Sequence, residues 1–413
     1  MSRKVFMRRQ LNTWTLAGLM VGPILGSGII LLPPMAYARL GAQAIWAWML
    51  ILALGGAFAW LFIRMALRSR SDAGLAAQVA QALGPVWGEL ASNYLTGAVL
   101  FGMVPVLLTA GRLWPSALSA GLSPSAWAGL FLVATIGLLL AGLVAVGRLA
   151  LGLSSLTALL LVAGGGLGLI RHRALAWPAP VLGLPALGPT LLLLFWAVVG
   201  WEVVGNYASQ VRDPGRTIPR AGLISVAAVS LVYLVTTLAL QTLAGPDPAP
   251  TLATVLVPLF GRAAELVAGL LSAGLCLVSV LMFTGAVTRM TAQRARDGAL
   301  PGWWAQAALS TPHRGILTLG GIATLLLLLV HRGALDLAGL VLSANLCFLG
   351  NALLGLAAAW KILGPGRPRG VILLLAGILG LLLSQGHPLG WAGFAAITAA
   401  TLVRARFPQI ATS

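Results

Sequence analysis

Apolar stretches of about 20 residues recur along almost the whole chain, separated by short polar segments. This is the length that an α-helix needs to cross the hydrocarbon core of a bilayer. The pattern predicts an all-α polytopic membrane protein with about twelve transmembrane helices in a single domain, residues 1–413. The predicted spans are residues 14–37, 43–66, 87–111, 124–146, 149–170, 188–208, 219–243, 254–288, 315–330, 334–360, 370–385 and 388–403. The stretch 254–288 is too long for one straight crossing, so we expect it to begin with a short interfacial or external helix.

The first predicted span is crowded with residues that interrupt helices: Gly22, Pro23, Gly26, Gly28, Pro33 and Pro34. Relative to alanine, a glycine costs about 1 kcal/mol and a proline about 3 kcal/mol inside a helix. An interrupted membrane helix frees backbone N–H and C=O groups, which are tolerated only where they line a cavity or meet a ligand. The interruption therefore predicts a binding site for a small polar solute and favours a transporter.

Gly26, Ser27 and Gly28 are the best candidates for this site. Their small side chains let a ligand approach the backbone. A half-helix that starts near Ile29 would direct free N–H groups and its positive dipole end at an anion, such as a carboxylate. The Ser27 hydroxyl is a further donor. The alternative is a helix-packing face, because small residues are common at helix interfaces in membranes.

The sixth predicted span carries a second interruption. Gly200 and Gly205 flank Glu202, an acidic residue placed deep within the span. A carboxylate at membrane depth is costly and marks a functional residue by default. Glu202 is a candidate to take up and release a proton; the alternative is a neutral side chain that ties two helices together. Trp196, six residues earlier, is either an aromatic gate over a solute or a packing residue.

Polar residues in other spans are weaker candidates. Asn93, Ser279 and Asn345 lie in or near spans three, eight and ten, and Pro105 falls within span three. Each could line a cavity. A helix–helix hydrogen bond or a packing feature is the commoner use of such residues in membrane helices, and it is the favoured interpretation here.

Composition and charge agree with a membrane protein. Charged residues make up 8% of the chain and the mean hydropathy is +0.97, whereas a soluble domain carries about 25% charged residues. The net charge of +18 does not indicate a nucleic-acid partner, because most of the 26 Lys and Arg residues fall on one side of the predicted membrane. This positive-inside distribution places both termini in the cytoplasm.

Motifs of enzymes and pumps are absent from the sequence. There is no Walker A motif, no H-E-x-x-H and no G-x-S-x-G. Cys276 and Cys347 lie in predicted spans without a C-x-x-C spacing, which favours apolar packing residues over a metal site. We therefore expect no enzymatic activity, no cofactor and no metal ion.

Four segments, taken in order, resemble those of a known family. They are residues 26–29 (Gly-Ser-Gly-Ile), 195–202 with an aromatic…Gly-x-Glu pattern, 211–221 with an Asp-Pro…Ile-Pro-x-Ala pattern, and 295–301 after span eight. On these segments the chain is identified as a member of the amino acid–polyamine–organocation transporter superfamily. Its length and the segment 195–221 look most like the bacterial exporters of methionine and branched-chain amino acids.

The resemblance implies a five-plus-five inverted-repeat (LeuT-like) core with broken helices 1 and 6. The first repeat would be residues 14–170, the second 188–360, and residues 370–403 would form two additional helices. The substrate would bind between spans one, three, six, eight and ten. The implied substrate-binding residues are Gly26, Ser27, Gly28, Ile29, Trp196, Gly200 and Asn345, with Glu202 as a coupling or gating residue.

One region departs from the pattern of some relatives. Residues 275–283 in span eight have little polar content, which weakens the case for a sodium site there. The apolar residues Met103, Val198 and Val199 would suit an apolar substrate side chain.

The sequence therefore predicts a secondary active transporter of neutral amino acids such as methionine, leucine, isoleucine and valine. It would export them across a bacterial inner membrane by alternating access, with protons as the coupling ion. Two alternatives stay open: an importer or exchanger of amino acids or polyamines on the same fold, and a membrane sensor or scaffold that does not transport.

Overall fold

The computed structural model describes residues 11–69, 74–141, 146–172, 184–202, 213–244, 250–298 and 312–406, with isolated positions between these ranges. Across the described residues the secondary structure is helical, apart from one isolated bridge between Leu11 and Val211. The α-helices are α1 (Thr13–Leu25), α2 (Gly28–Leu40), α3 (Ala44–Ser69), α4 (Leu75–Leu83), α5 (Pro85–Arg112), α6 (Pro124–Leu140), α7 (Val146–His172), α8 (Leu184–Leu194), α9 (Pro214–Leu243), α10 (Leu252–Phe260), α11 (Ala264–Arg296), α12 (His313–His331), α13 (Leu337–Leu363), α14 (Arg367–Leu383) and α15 (Pro388–Arg406).

The helices follow the predicted spans closely, and the all-α polytopic membrane fold is confirmed. The long stretch 254–288 divides into the short α10 and the long α11, joined by a 3-10 turn at Gly261–Ala263. The sequence did not predict α4, because its 9 residues are too few for a span and follow a polar segment. The interruption in the first span is the junction between α1 and α2.

Seven helical stretches of the described chain have the length and apolar composition to cross a membrane, or eight if α14 and α15 count as one bent span. The chain turns by 120° between α14 and α15, so these two helices fold back on each other. Three shorter apolar stretches are Thr13–Gly22, Pro124–Leu140 and Pro185–Val198. The count of twelve crossings and the repeat boundaries at 170, 188, 360 and 370 stay predictions.

Helices α5 and α13 form the centre of the bundle. In the most apolar segment of each of these two helices, 72% of the residues are buried inside the protein. The corresponding share is 33% for α7 and α12, so these two helices leave more surface for lipid. Close packing at the centre depends on small residues: a Cβ atom at Gly350 of α13 would lie 2.6 Å from the Phe394 ring and 2.8 Å from the Tyr94 ring. Spans three and ten therefore pack closely against α15 at this point.

Candidate functional site

The first span is broken by two residues, Gly26 and Ser27, between the end of α1 and the start of α2. Gly26 has φ 27° and ψ −139°, a positive φ that residues with a Cβ atom rarely adopt. Its N–H donates to the carbonyl of Gly22 at 3.0 Å. The sequence correctly placed the interruption at these small residues.

The start of α2 presents backbone donors at membrane depth. The Ser27 carbonyl accepts from the N–H groups of Ile30 and Leu31, at 3.2 and 3.1 Å. The N–H groups of Gly28 and Ile29 have no acceptor within the helix, by the geometry of an α-helix. The Ser27 hydroxyl makes no capping hydrogen bond, although this residue is only 3% exposed. These donors, with the positive end of the helix dipole, are suited to a carboxylate.

A cavity of about 330 Å³ lies beside this break, and we refer to it as the central cavity. Its walls come from the break itself, α5, the 3-10 turn after α8, α11 and α13. These elements belong to predicted spans one, three, six, eight and ten. The lining residues are Ser27, Ala98, Val99, Gly102, Met103, Val106, Trp196, Ser279, Val280, Phe283, Thr284 and Phe348.

The lining of the central cavity is apolar apart from three hydroxyl groups, on Ser27, Ser279 and Thr284, and it includes no charged side chain. The Thr284 hydroxyl is buried and has no hydrogen-bond partner among the described residues. Buried polar atoms are normally paired, so this hydroxyl is an exception within the cavity wall.

Trp196 forms one wall of the central cavity. Gly102 of α5 makes room for it, because a Cβ atom there would lie 2.8 Å from Cη2 of the indole. The Trp196 and Phe348 rings meet edge to face, with centroids 5.9 Å apart and an angle of 65° between their planes. The two rings together close the side of the cavity that faces α13.

A second cavity of about 290 Å³ lies on the other side of Phe348, which lines both, and we refer to it as the inner cavity. Its lining is Phe58, Phe62, Leu75, Phe195, Val198, Val199, Glu202, Phe348, Asn351 and Ala352. Glu202 and Asn351 are the polar side chains of this lining. Glu202 therefore lies in the inner cavity and not in the central cavity.

The sixth span is also broken. After α8, a 3-10 turn covers Phe195–Val198, and Gly200 has φ 117°. A Cβ atom at Gly200 would lie 2.9 Å from Cγ1 of Ile24, so the two breaks contact each other. The Gly200 N–H donates to Oε2 of Glu202 at 3.0 Å. Gly205 lies outside the described residues.

Of the seven expected substrate-binding residues, Ser27 and Trp196 line the central cavity, and five do not: Gly26, Gly28, Ile29, Gly200 and Asn345. Asn345 is fully buried, and its Nδ2 donates to the carbonyls of Leu192 and Leu193 at 2.8 and 2.9 Å. These carbonyls belong to the last turn of α8, where the helix supplies no donor. The contacts of Asn345 therefore stabilise the end of α8. The Ile29 side chain is 1% exposed within the core, and its contribution to the break is its backbone N–H.

Other expected residues divide between the two cavities. Ser279 and Met103 line the central cavity, whereas Val198 and Val199 line the inner cavity. Asn93 is a helix tie, since its side chain hydrogen-bonds to residues of both α11 and α15. Of the two hydroxyls that span eight contributes, Ser279 lies inside the segment 275–283 and Thr284 directly follows it.

Sequence reasoning missed Tyr233 of α9. This buried side chain stacks on Trp48, with ring centroids 4.3 Å apart. Its hydroxyl donates to the carbonyl of Ile24 at 3.4 Å, near the end of α1. A Cβ atom at Gly28 would lie 2.8 Å from the Tyr233 hydroxyl oxygen, which explains why the break needs a glycine there. A phenol at membrane depth needs a hydrogen-bond partner. This requirement could have identified Tyr233 from the sequence as a residue that contacts a broken helix.

Comparison with protein families gives a single answer for most of the chain. Residues 11–385 match the amino acid permease family model. The chain belongs to the amino acid permease family. This agrees with the superfamily that the four sequence segments indicate, and it makes the chain a membrane transporter family member.

Relatives of this permease include transporters of different solutes. It is 26% identical to the L-methionine/branched-chain amino acid exporter of Escherichia coli over 89% of this chain and 88% of that protein. It is 25% identical to the cadaverine/lysine antiporter of Escherichia coli over 78% of this chain and 75% of that protein. An uncharacterized transporter of Mycobacterium bovis is 27% identical, over 91% and 85%.

A solved structure has the same fold. The permease superposes on a mutant of the manganese transporter of Eremococcus coleocola with a TM-score of 0.61, over 97% of this chain and 94% of that one. The two sequences are 13% identical, so the likeness shows the fold alone. Among the described residues of the permease, no three His, Cys, Asp or Glu side chains are placed to hold a metal ion.

Proposed function

We propose that this permease is a secondary active transporter of neutral amino acids with apolar side chains, such as methionine, leucine, isoleucine and valine. The observation that carries the proposal is the central cavity, where Ser27 of the broken first span adjoins a lining that is otherwise mostly apolar and has no charged residue among the described ones. The exporter of methionine and branched-chain amino acids supports the same substrate class.

In the proposed binding mode the substrate carboxylate meets the N–H groups at the start of α2 and the Ser27 hydroxyl. The apolar side chain contacts Met103, Val280 and Phe283 across the cavity. Ser279 and Thr284 are placed to accept hydrogen bonds from the ammonium group. Trp196 covers the substrate, which makes it a gating residue.

Alternating access would use the two breaks as hinges. They touch at Ile24 and Gly200, so a rotation of one half-helix displaces the other. The Phe348 ring separates the central cavity from the inner cavity, where Glu202 lies. We propose that protonation of Glu202 links this movement to the proton gradient, with export across a bacterial inner membrane and both termini in the cytoplasm.

A second candidate is an exchanger of cationic amino acids or polyamines, which the cadaverine/lysine antiporter favours. A cation in the central cavity would rely on the faces of Trp196 and Phe348, since no carboxylate lines this cavity. An ammonium group without a carboxylate partner is costly to bury, and this favours the neutral substrate.

Ligand-induced thermal stabilisation of the purified full-length protein tests the proposal, because a ligand that binds the folded state raises its stability. We expect a shift with methionine or leucine and none with lysine or cadaverine. Met103→Trp fills the cavity and should abolish the shift. Met49→Trp is the matched control, since Met49 is 43% exposed on the outer surface. A shift with cadaverine alone would instead establish the second candidate.

A further inference from the structure

A third cavity lies among the last turns of α3, α4 and α13 and contains about 550 Å³ of empty space, part of it open to the surroundings. Its lining consists of Arg68, Gln81, Ala82, Lys361 and Ile362, and we refer to it as the basic cavity. It shares no residue with the central or the inner cavity. The transport mechanism proposed above makes no use of it.

The charge of the basic cavity is unbalanced. Arg68 and Lys361 each bring a full positive charge, and among the described residues no acidic side chain is part of the lining. Neither cation forms an ion pair with a described residue; the ion pair among those residues joins Arg216 and Asp213, at the start of α9. The C-terminal ends of α3, α4 and α13 contribute about half a negative charge each. The sum leaves about half a positive charge for an anion to neutralise.

The donors of this cavity suit a phosphate group. A guanidinium offers planar paired N–H donors to phosphate oxygens, an ammonium adds a point charge, and the Gln81 amide adds neutral N–H donors. Two tryptophans indicate how deep in the membrane the cavity lies. Trp360 directly precedes Lys361, and Trp60 lies about two turns before Arg68. Tryptophan is enriched at the membrane–water interface, which is where lipid phosphates lie.

We propose that the basic cavity is a phosphate-binding site, filled by the headgroup of an anionic lipid or by free phosphate. Basic cavities between membrane helices on the positively charged side are suited to such headgroups. The site has a structural consequence, because α4 lines the basic cavity with Gln81 and the inner cavity with Leu75. A phosphate that bridges Arg68 and Lys361 and accepts from Gln81 would therefore join α3 and α13 to a helix that also lines the inner cavity.

Lipid binding to the full-length protein in a neutral detergent tests the site. Phosphatidylglycerol, phosphatidylcholine and inorganic phosphate are titrated separately, with retained lipid counted by native mass spectrometry and stability followed by thermal unfolding. The double substitution Arg68→Gln with Lys361→Gln should weaken phosphatidylglycerol binding about tenfold. The control, Arg64→Gln with Arg367→Gln, removes the same charge from exposed positions outside the cavity and should change binding less than about twofold.

The three probes separate the sources of the phosphate. Binding of phosphatidylglycerol that the double substitution weakens and inorganic phosphate does not displace identifies a lipid site. Stabilisation by inorganic phosphate, lost in the same double substitution, identifies a site for the soluble anion. Equal phosphatidylglycerol binding by all variants, or an equal loss in the control, overturns the proposal. If the double variant does not fold, each single substitution should weaken binding about threefold.

Discussion

The two helix breaks satisfy their backbone groups in different ways. At the first span backbone groups pair with each other: the Gly26 N–H bonds back into α1, and the Ser27 carbonyl accepts from the first turns of α2. At the sixth span side chains supply the partners. Asn345 of α13 donates to the carbonyls at the end of α8, and Glu202 accepts from the Gly200 N–H.

This difference assigns different tasks to the two breaks. The first break is supported by its own backbone and by Tyr233 of α9, and its Ser27 lines the central cavity. The second break is held by an amide from another helix and by a group that can bind a proton. Because Asn345 and Phe348 share one turn of α13, a movement of α13 would act on the break and on the wall between the cavities together.

The largest expected effect comes from Gly200→Ala. Alanine at position 200 would have to adopt φ 117°, and its Cβ atom would lie 2.9 Å from Cγ1 of Ile24. Backbone strain and overpacking together should destabilise the protein by about 2–4 kcal/mol. Denaturant unfolding followed by tryptophan fluorescence measures this loss.

Gly22→Ala is the matched control for Gly200→Ala. A Cβ atom at Gly22 would meet nothing within 4 Å, and alanine is a better helix former by about 1 kcal/mol. This substitution should leave stability unchanged or raise it. Equal losses in both variants would mean that the contact between the two breaks has no special role.

Asn345→Ala should have the next largest effect. It leaves the Leu192 and Leu193 carbonyls buried without their side-chain donor, which costs about 1–3 kcal/mol. Ligand-induced stabilisation should persist, because Asn345 does not line the central cavity. A variant of normal stability that no longer responds to methionine would instead give Asn345 the substrate-binding role that the resemblance implied.

Tyr233→Phe tests the support of the first break. The hydroxyl donates to the Ile24 carbonyl at 3.4 Å, a long bond, so we expect a loss of about 0.5–1 kcal/mol. Tyr37→Phe makes the same chemical change near the far end of α2 and should cost less than about 0.5 kcal/mol. Thermal unfolding measures the loss of stability in the two variants. Equal losses would mean that the Tyr233 hydroxyl does not support the first break.

The breaks could be located from the sequence because their cause is local. Glycines and prolines interrupt a helix wherever they occur, so the interruption around Gly26 is visible without any neighbour. The helices themselves follow from the length of the apolar runs. The resemblance supplied the prediction that spans one, three, six, eight and ten meet.

The direction in which a side chain points could not be predicted. Asn345 and Asn351 lie six residues apart on α13, which places them on different faces of the helix. One bonds to α8 and the other lines the inner cavity. In an apolar span that is buried on most sides, both faces have the same pattern. The packing of neighbouring helices decides which neighbour each side chain faces, and this packing cannot be deduced from a single sequence.

The smallest change in stability, and the sharpest test of the comparison, comes from Glu202→Gln. Glutamine keeps an oxygen that can accept from the Gly200 N–H but no longer binds a proton, so stability should change by less than about 0.5 kcal/mol. In proteoliposomes, the response of methionine flux to a pH gradient should be lost. The shift in unfolding temperature that methionine induces in the purified variant should stay within about twofold of the wild-type shift.

Glu202→Ala separates the two properties of this residue, because it removes the acceptor as well as the titrating group. We expect it to lose the pH response like the glutamine variant and to lose about a further 0.5–1.5 kcal/mol of stability, the value of one hydrogen bond. If the glutamine variant still responds to a pH gradient as the wild type does, Glu202 only holds the second break in place. The two breaks would then differ in how they are supported and not in what they do, and the coupling ion would have to act elsewhere.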